Sequence, residues 1–243
     1  MINLFVTSDK KGSGKTFVSS GIASIMQSLG YSVGYFKPVQ TAAEMRAGFP
    51  VSRDIAFVKS VDPYVNTAIS YSFANDLIPP LASKKENIEI KPQTIIHDYL
   101  NLRKTSDIII TEACGGILTP ISENINTVDL IKTMEMSVLI VAEYGTDVLE
   151  NILLTVAASK FHGFDVRGVI INKCFTSSNE NIKYLPELIE KYAKIPVLGI
   201  IPYKNENIPP SELLDTILHS VDIESIFGMQ IPQLSFNDKN QNN

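Results

Sequence analysis

Apolar residues in this chain gather in short unbroken runs rather than spreading evenly. The clearest are Ile2–Val6, Ser32–Phe36, Asp107–Thr111, Ser137–Val141, Val166–Ile171 and Val197–Ile201. Runs of this length, rich in Ile and Val, predict strands covered on both faces. Between them lie segments with helical spacing: Lys15–Leu29, Lys91–Lys104, Asp147–Phe161 and Asn179–Ala193. In the last, Ile182, Leu185, Leu188, Ile189 and Tyr192 recur at three- and four-residue intervals and form one apolar face. Strand alternating with helix predicts an α/β fold, a doubly wound and mainly parallel sheet with helices on both faces. The stretch Ala42–Pro92 is broken by Pro50, Pro63, Pro79 and Pro80, and reads as loops with a short helix near Arg53–Ser60. The expected organisation is one domain over residues 1–235, followed by a polar, disordered tail over 236–243.

Composition narrows the function classes. With 44% hydrophobic and 19% charged residues, the 243-residue chain is ordinary for a globular protein with a substantial core. A net charge of −5 argues against a nucleic-acid binder, which needs clustered Lys and Arg. Cys114 and Cys174 are too few for a disulfide scaffold and fit no zinc spacing. No basic leader precedes the first strand, and no apolar run approaches the roughly 20 residues that span a bilayer. A soluble, cytoplasmic protein without a membrane partner is expected.

Ligands of doubly wound sheets bind at the carboxyl ends of strands, so the chemistry is to be sought after each apolar run. The first run leads into Thr7-Ser-Asp-Lys-Lys-Gly-Ser-Gly-Lys-Thr-Phe17. The common phosphate loop, G-x-x-x-x-G-K-S/T, would place a glycine where Asp9 stands. Gly14-Lys15-Thr16 nevertheless supplies its end, in the strand–loop–helix setting that a phosphate site requires. Backbone N–H groups there would face an anion with the helix dipole behind them. Lys15 reaches β- and γ-phosphates in such a loop, and the Thr16 hydroxyl can bind Mg²⁺. Lys10 and Lys11 are either solvated loop lysines or contacts to phosphate or a substrate oxyanion. Lys10, five residues before Lys15, resembles the signature lysine of partition and septum-site ATPases. After the second run, Lys37 is either a surface residue or a cation for the γ-phosphate or an anionic intermediate. After the third, Glu112 precedes Gly115-Gly116, where a metal-binding acid of a nucleotide site belongs. Asp54, at the start of the short helix, is a second candidate carboxylate or a plain helix-start acid.

Together these pieces resemble the dethiobiotin synthetase family. The loop at residues 8–16, K-P-V at Lys37–Val39, E-A-C-G-G at Glu112–Gly116 and I-P-Y at Ile201–Tyr203 follow the family's order and spacing. The family forms are G-T-D-T-E/G-V-G-K-T, K-P-V-x-S/T-G and E-G-A-G-G-x-x-x-P. The stretch Pro79–Ala82 is similar to the family's A-P-x-x-A, and the likeness runs from Ile2 to about Tyr203. The family loop is one residue longer than the common pattern, which removes the difficulty at Asp9.

The resemblance implies a P-loop ligase that closes the ureido ring of dethiobiotin. Its substrates would be 7,8-diaminopelargonic acid, CO₂ and ATP, with Mg²⁺, and it would work as a homodimer. Lys15 and Lys37 would be catalytic. Lys11, Gly12, Ser13, Gly14, Lys15, Thr16 and Phe17 would bind nucleotide, with Asn172, Pro202 and Tyr203 around the adenine. Thr16, Asp54 and Glu112 would hold the metal, and Lys11, Lys37, Thr41 and Tyr184 would meet the substrate. Ser8 stands where the family has glycine, a mild departure, and two stretches depart further. Lys11-Gly12 replaces a threonine followed by an acid or glycine, and Gly145–Asn151 stands in place of G-x-x-N-H. Two alternatives follow: a diverged synthetase-like ATPase with another amine or amide substrate, and an ATPase switch of the partition or septum-site type.

Overall fold

The six apolar runs become strands of one sheet, and a seventh strand joins them from the stretch that the sequence left irregular. The computed structural model describes residues 2–175, 180–205 and 208–231; the expected tail at 236–243 and the expected helix start at Asn179 lie outside them. The first half runs β1 (Ile2–Ser8), α1 (Lys15–Ser28), β2 (Val33–Gln40), β3 (Glu44–Arg46), β4 (Phe49–Val51), α2 (Arg53–Val61), β5 (Asn66–Ser72), α3 (Pro79–Glu86) and α4 (Pro92–Arg103). The second half runs β6 (Ile108–Gly116), α5 (Thr127–Met134), β7 (Ser137–Glu143), α6 (Val148–Phe161), β8 (Val166–Cys174), α7 (Glu180–Ala193), β9 (Val197–Pro202), α8 (Pro210–Ser220) and α9 (Ile223–Phe227). Among the described residues the main sheet has seven strands in the order β5-β2-β6-β1-β7-β8-β9, all pairs parallel, and β3–β4 is a small antiparallel hairpin.

Side chains alternate across this sheet with the period of two that strands impose. Phe5, Ile109, Val138 and Ile140 face a core completed by Ile95 and Tyr99 of α4, Ile131 of α5, Ile152 of α6 and Ile189 of α7. Leu4, Val6, Ile110, Leu139 and Val141 face the opposite core, closed by Val18 and Ile22 of α1, Val58 of α2, Ile217 of α8 and Ile226 of α9. Each central strand is therefore apolar on both faces, which is why it reads as an unbroken run.

Ala42–Pro92 holds more regular structure than its sequence suggested. β5 is an edge strand whose Thr67, Ser70 and Ser72 leave no continuous apolar run, and its positions are only half-buried. α3 begins on Pro79-Pro80, where a missing N–H costs nothing because the first helical turn has no acceptor for it. α5 and α8 also went unread. Each is only two or three turns long, and α5 is fixed by a capping box between Asn126 and Asp129.

β2 outlasts its predicted end at Phe36 by four residues. Its pairing with β6 stops at Phe36↔Thr111, while β5 accompanies it to Gln40↔Ser72. Pro38, which has no N–H to donate, lies past that last β2–β6 pair. β6 instead follows β1 to Ser8↔Gly116. The carboxyl ends of β2 and β6 thus part, and Lys37 and Glu112 sit where they do so.

Candidate functional site

β1 ends at Ser8 and α1 begins at Lys15, so residues 9–14 form the loop between them. Gly12 and Gly14 have φ of 85° and 88°, the left-handed region that glycine enters without a Cβ penalty. Such turns align successive N–H groups toward one side and make an anion-binding concavity. A Cβ on Gly14 would also lie 2.0 Å from Asn172 Nδ2, so glycine is required there twice over. Gly14 caps α1 without a side-chain acceptor, and the first turn holds no acid. Ser13 Oγ donates to Asp9 Oδ1 at 2.6 Å and is placed to bond the Lys10 carbonyl at 2.8 Å, which folds the loop back on itself.

Lys15 is buried, with Nζ 3.0 Å from Ser8 Oγ. Burial pulls its ammonium below the ordinary lysine range, and the nearby Glu112 carboxylate offsets part of that fall. Lys37 is only 3% exposed and fills all three of its donor directions: Asp54 Oδ2 at 2.6 Å, Glu112 Oε1 at 2.9 Å and the Ala113 carbonyl at 3.1 Å. Burial alone would weaken the Lys37 proton. Glu112 and Asp54 together outweigh it and hold the group above the ordinary lysine range. Burial likewise opposes the charge on Asp54, but Lys37 prevails and keeps that carboxyl below its usual value.

Glu112, 1% exposed, accepts from three side chains on two elements, α1 and β2. Thr16 Oγ1 of α1 and Lys37 Nζ of β2 meet its Oε1, each at 2.9 Å, and the Tyr35 hydroxyl meets its Oε2 at 2.8 Å. Burial, followed by the charge of Glu112, pushes the Tyr35 phenol well above its ordinary value, so it stays a donor. Asp54 stands in the first turn of α2, which Ser52 caps by accepting from the Ile55 N–H. The Thr41 hydroxyl lies 3.8 Å from Cys114 Sγ.

Lys15, Thr16, Lys37, Asp54 and Glu112 are therefore brought together at the ends of β1, β2 and β6, with Thr41 and Cys114 beyond them. Ser13 and Gly14 lie in the same loop, and Phe17 points away into the core beneath α1. Lys11 turns outward to an ion pair with Asp76 on the β5–α3 connection. Lys10 pairs with Glu143 at 3.7 Å. Asn172 reaches the loop itself, donating from Nδ2 to the Ser13 carbonyl at 2.9 Å. Tyr203, next to Pro202 at the end of β9, stacks on Phe175 with ring centroids 4.3 Å apart and planes 21° from parallel. Tyr184 does not join the lysine cluster. It lines a cleft of about 530 Å³ with Tyr144, Gly145, Val148, Leu149 and Phe175.

Three participants escaped the sequence reading: Tyr35, Glu143 and Lys173. Tyr35 had a usable signal, because it lies two residues before Lys37 and so shares its strand face. Glu143 and Lys173 had none, since their partners in the loop are some 130 to 160 residues away.

As a metal site, the cluster offers two carboxylates and one hydroxyl, all hard oxygen donors. Among the described residues no group of three or more His, Cys, Asp or Glu side chains gathers. That composition fits Mg²⁺, which takes one or two carboxylates and completes its shell with phosphate and water. Also among the described residues, no helix is long and apolar enough to cross a membrane.

A family model described as AAA domain matches residues 3–211. An ATP-dependent dethiobiotin synthetase of Bacillus cereus is 30% identical over 229 residues, covering 93% of each chain. The enzyme of the same name from Bacillus anthracis is 26% identical over 226 residues, again 93% of each. Among solved structures, the septum site-determining protein MinD of Pyrococcus horikoshii, complexed with Mg-ADP, superposes with a TM-score of 0.57 at 16% identity, over 98% of this chain and 96% of that one. A ParA family ATPase from Chlorobium tepidum gives 0.53 at 16% identity, over 96% and 95%. These two likenesses establish the fold, a parallel sheet with helices on both faces. The near full-length match to the Bacillus cereus enzyme goes further, and the chain belongs to the dethiobiotin synthetase family.

Proposed function

We propose that this protein closes the ureido ring of dethiobiotin from 7,8-diaminopelargonic acid, CO₂ and ATP. At the level of class it is an ATP-dependent ligase of biotin synthesis, as its family membership carries. The finer reading rests on one observation: a buried ammonium, Lys37, stands between Asp54 and Glu112 beside a phosphate loop. A switch ATPase needs no second buried cation there, whereas a reaction joining two anions does.

In this reading one amine of the substrate attacks the carbon of CO₂ and loses a proton, giving a carbamate. A carbamate oxygen then attacks the γ-phosphorus, and the bond to the β-phosphate oxygen breaks to release ADP. The second amine attacks the carbonyl carbon of the mixed anhydride, expels phosphate, gives up its proton and closes the ring. Carbamate and triphosphate repel each other, so the main demand is fixed positive charge between them. Lys15 supplies it from the loop side and Lys37 from the β2 side. Lys15 is buried among groups that cannot fully compensate it, so a triphosphate restores the charge balance that burial disturbs. Thr41 lies near the carbamate position. Thr16, Asp54 and Glu112 would hold Mg²⁺, which when bound withdraws charge from the γ-phosphate oxygens. Tyr203 and Pro202 line the base, and Tyr184 lies on the side that receives the substrate carboxylate.

A homodimer in the cytoplasm is part of the same reading. Leu154, Tyr184 and Tyr192 of α6 and α7 leave an apolar face exposed that a second copy would cover. The deciding assay is ADP release from Mg-ATP with and without 7,8-diaminopelargonate and bicarbonate. Release that depends on both, with dethiobiotin formed, supports the ligase. Hydrolysis indifferent to the diamine would sink it.

A further inference from the structure

The end of β8 reaches the phosphate loop from behind with two consecutive side chains. Asn172 Nδ2 donates to the Ser13 carbonyl at 2.9 Å, and Lys173 Nζ donates to the Gly12 carbonyl at 2.7 Å. The two carbonyls are successive. An anion-binding loop can turn its N–H groups inward only by turning its carbonyls outward, and each carbonyl then needs a donor on the far side. β8 provides both donors, Asn172 for Ser13 and Lys173 for Gly12.

Two further features mark the contact as built. Lys173 has φ 59°, a left-handed conformation that a residue with a Cβ adopts only where its surroundings impose it. Its ammonium is also 3.6 Å from Glu143 Oε2 at the end of β7. Glu143 in turn pairs with Lys10 at 3.7 Å, and its N–H donates to Asp9 Oδ1 at 3.4 Å. Three strand ends, β1, β7 and β8, are thus tied together on the outer side of the loop. The Asn172 amide faces a carbonyl, which only its NH₂ side can satisfy, so that donor is committed to the loop.

We infer that Asn172 and Lys173 are positioning residues for the phosphate loop: they hold the Ser13 and Gly12 carbonyls outward, and so act on the triphosphate rather than on the base. The inference rests on the loop being a triphosphate site, as proposed above. It assigns Lys173 a role, and it gives Asn172 a task different from reading adenine.

Binding of ATP and of inorganic tripolyphosphate, both with Mg²⁺, separates the possibilities when measured by calorimetry on the wild type, Lys173→Met and Lys173→Arg. A lost hydrogen bond from a charged donor corresponds to about tenfold in affinity. Lys173→Met is expected to weaken both ligands by that same factor, and Lys173→Arg, which keeps a donor, to bring both back to within about threefold of the wild type. A loss confined to ATP would place Lys173 at the base or ribose and overturn the inference. So would unchanged binding of both ligands, or a loss that arginine does not restore. A wild type that binds neither ligand would instead overturn the triphosphate reading itself.

Discussion

Lys37 is the residue whose removal tests the site most sharply, because its charge is buried between two acids. Lys37→Met keeps most of the aliphatic stem and deletes only the ammonium. Asp54 and Glu112 then face one another without the cation that both contact in the wild type, at 2.6 and 2.9 Å. Glu112 is 1% exposed and cannot recover its charge balance from water. Removing one partner of a buried ion pair costs about 3–5 kcal/mol, and the 22% exposure of the Asp54 side chain sets the expected loss near the lower end. About 3 kcal/mol lowers the melting temperature of a chain this size by about 6–12 °C. The fall is read by differential scanning calorimetry near neutral pH, without nucleotide. Millimolar MgCl₂ is expected to recover more of the melting temperature in Lys37→Met than in the wild type, because a divalent cation can enter where the ammonium was. Sodium chloride at matched ionic strength is the control for general screening. A variant that melts with the wild type refutes the electrostatic account of the cluster. A deficit that Mg²⁺ leaves untouched refutes the assignment of Asp54 and Glu112 as metal carboxylates.

Three other substitutions probe the surroundings of that cluster. Gly14→Ala forces a Cβ into a left-handed position costing about 1–2 kcal/mol and into Asn172, so the loop is expected to leave its binding conformation and ATP affinity to fall about tenfold in equilibrium titration. Tyr35→Phe leaves Glu112 Oε2 without its hydroxyl donor in a buried setting, and is expected to cost about 1–3 kcal/mol, seen as a lower urea midpoint at an unchanged slope. An unchanged midpoint would show that this hydrogen bond contributes nothing. Lys11→Thr removes one half of an ion pair whose side chains are two-thirds exposed, so the melting temperature should stay put. Its KM for the diamine should fall, since one positive charge leaves the loop and Asp76 is freed to attract an amine; a rise in KM would mean that Lys11 binds substrate.

How far the sequence alone went can be followed residue by residue. It determined the sheet class and six of the strands, because strands buried on both faces must be continuously apolar and so declare themselves. It located the phosphate loop, since Gly12 and Gly14 are dictated by local backbone geometry and lie within five residues of Lys15 and Thr16. The edge strand β5 stayed hidden because a strand half in water carries no unbroken apolar signal, and β2 outran its apolar run because β5 alone continues to pair with it past Phe36. Only the tertiary structure decided which charges meet. Lys37, Asp54 and Glu112 are 17 to 75 residues apart, and a lysine at a strand end looks the same in sequence whether it is solvated or clamped between carboxylates. The same holds for the loop lysines: Lys15 turns inward, Lys11 outward to Asp76, and Lys10 sideways to Glu143. Periodicity and local sterics act over a few residues and can be read along the chain. Charge pairing and desolvation depend on distances across the sheet, and those exist only once the strands are in register.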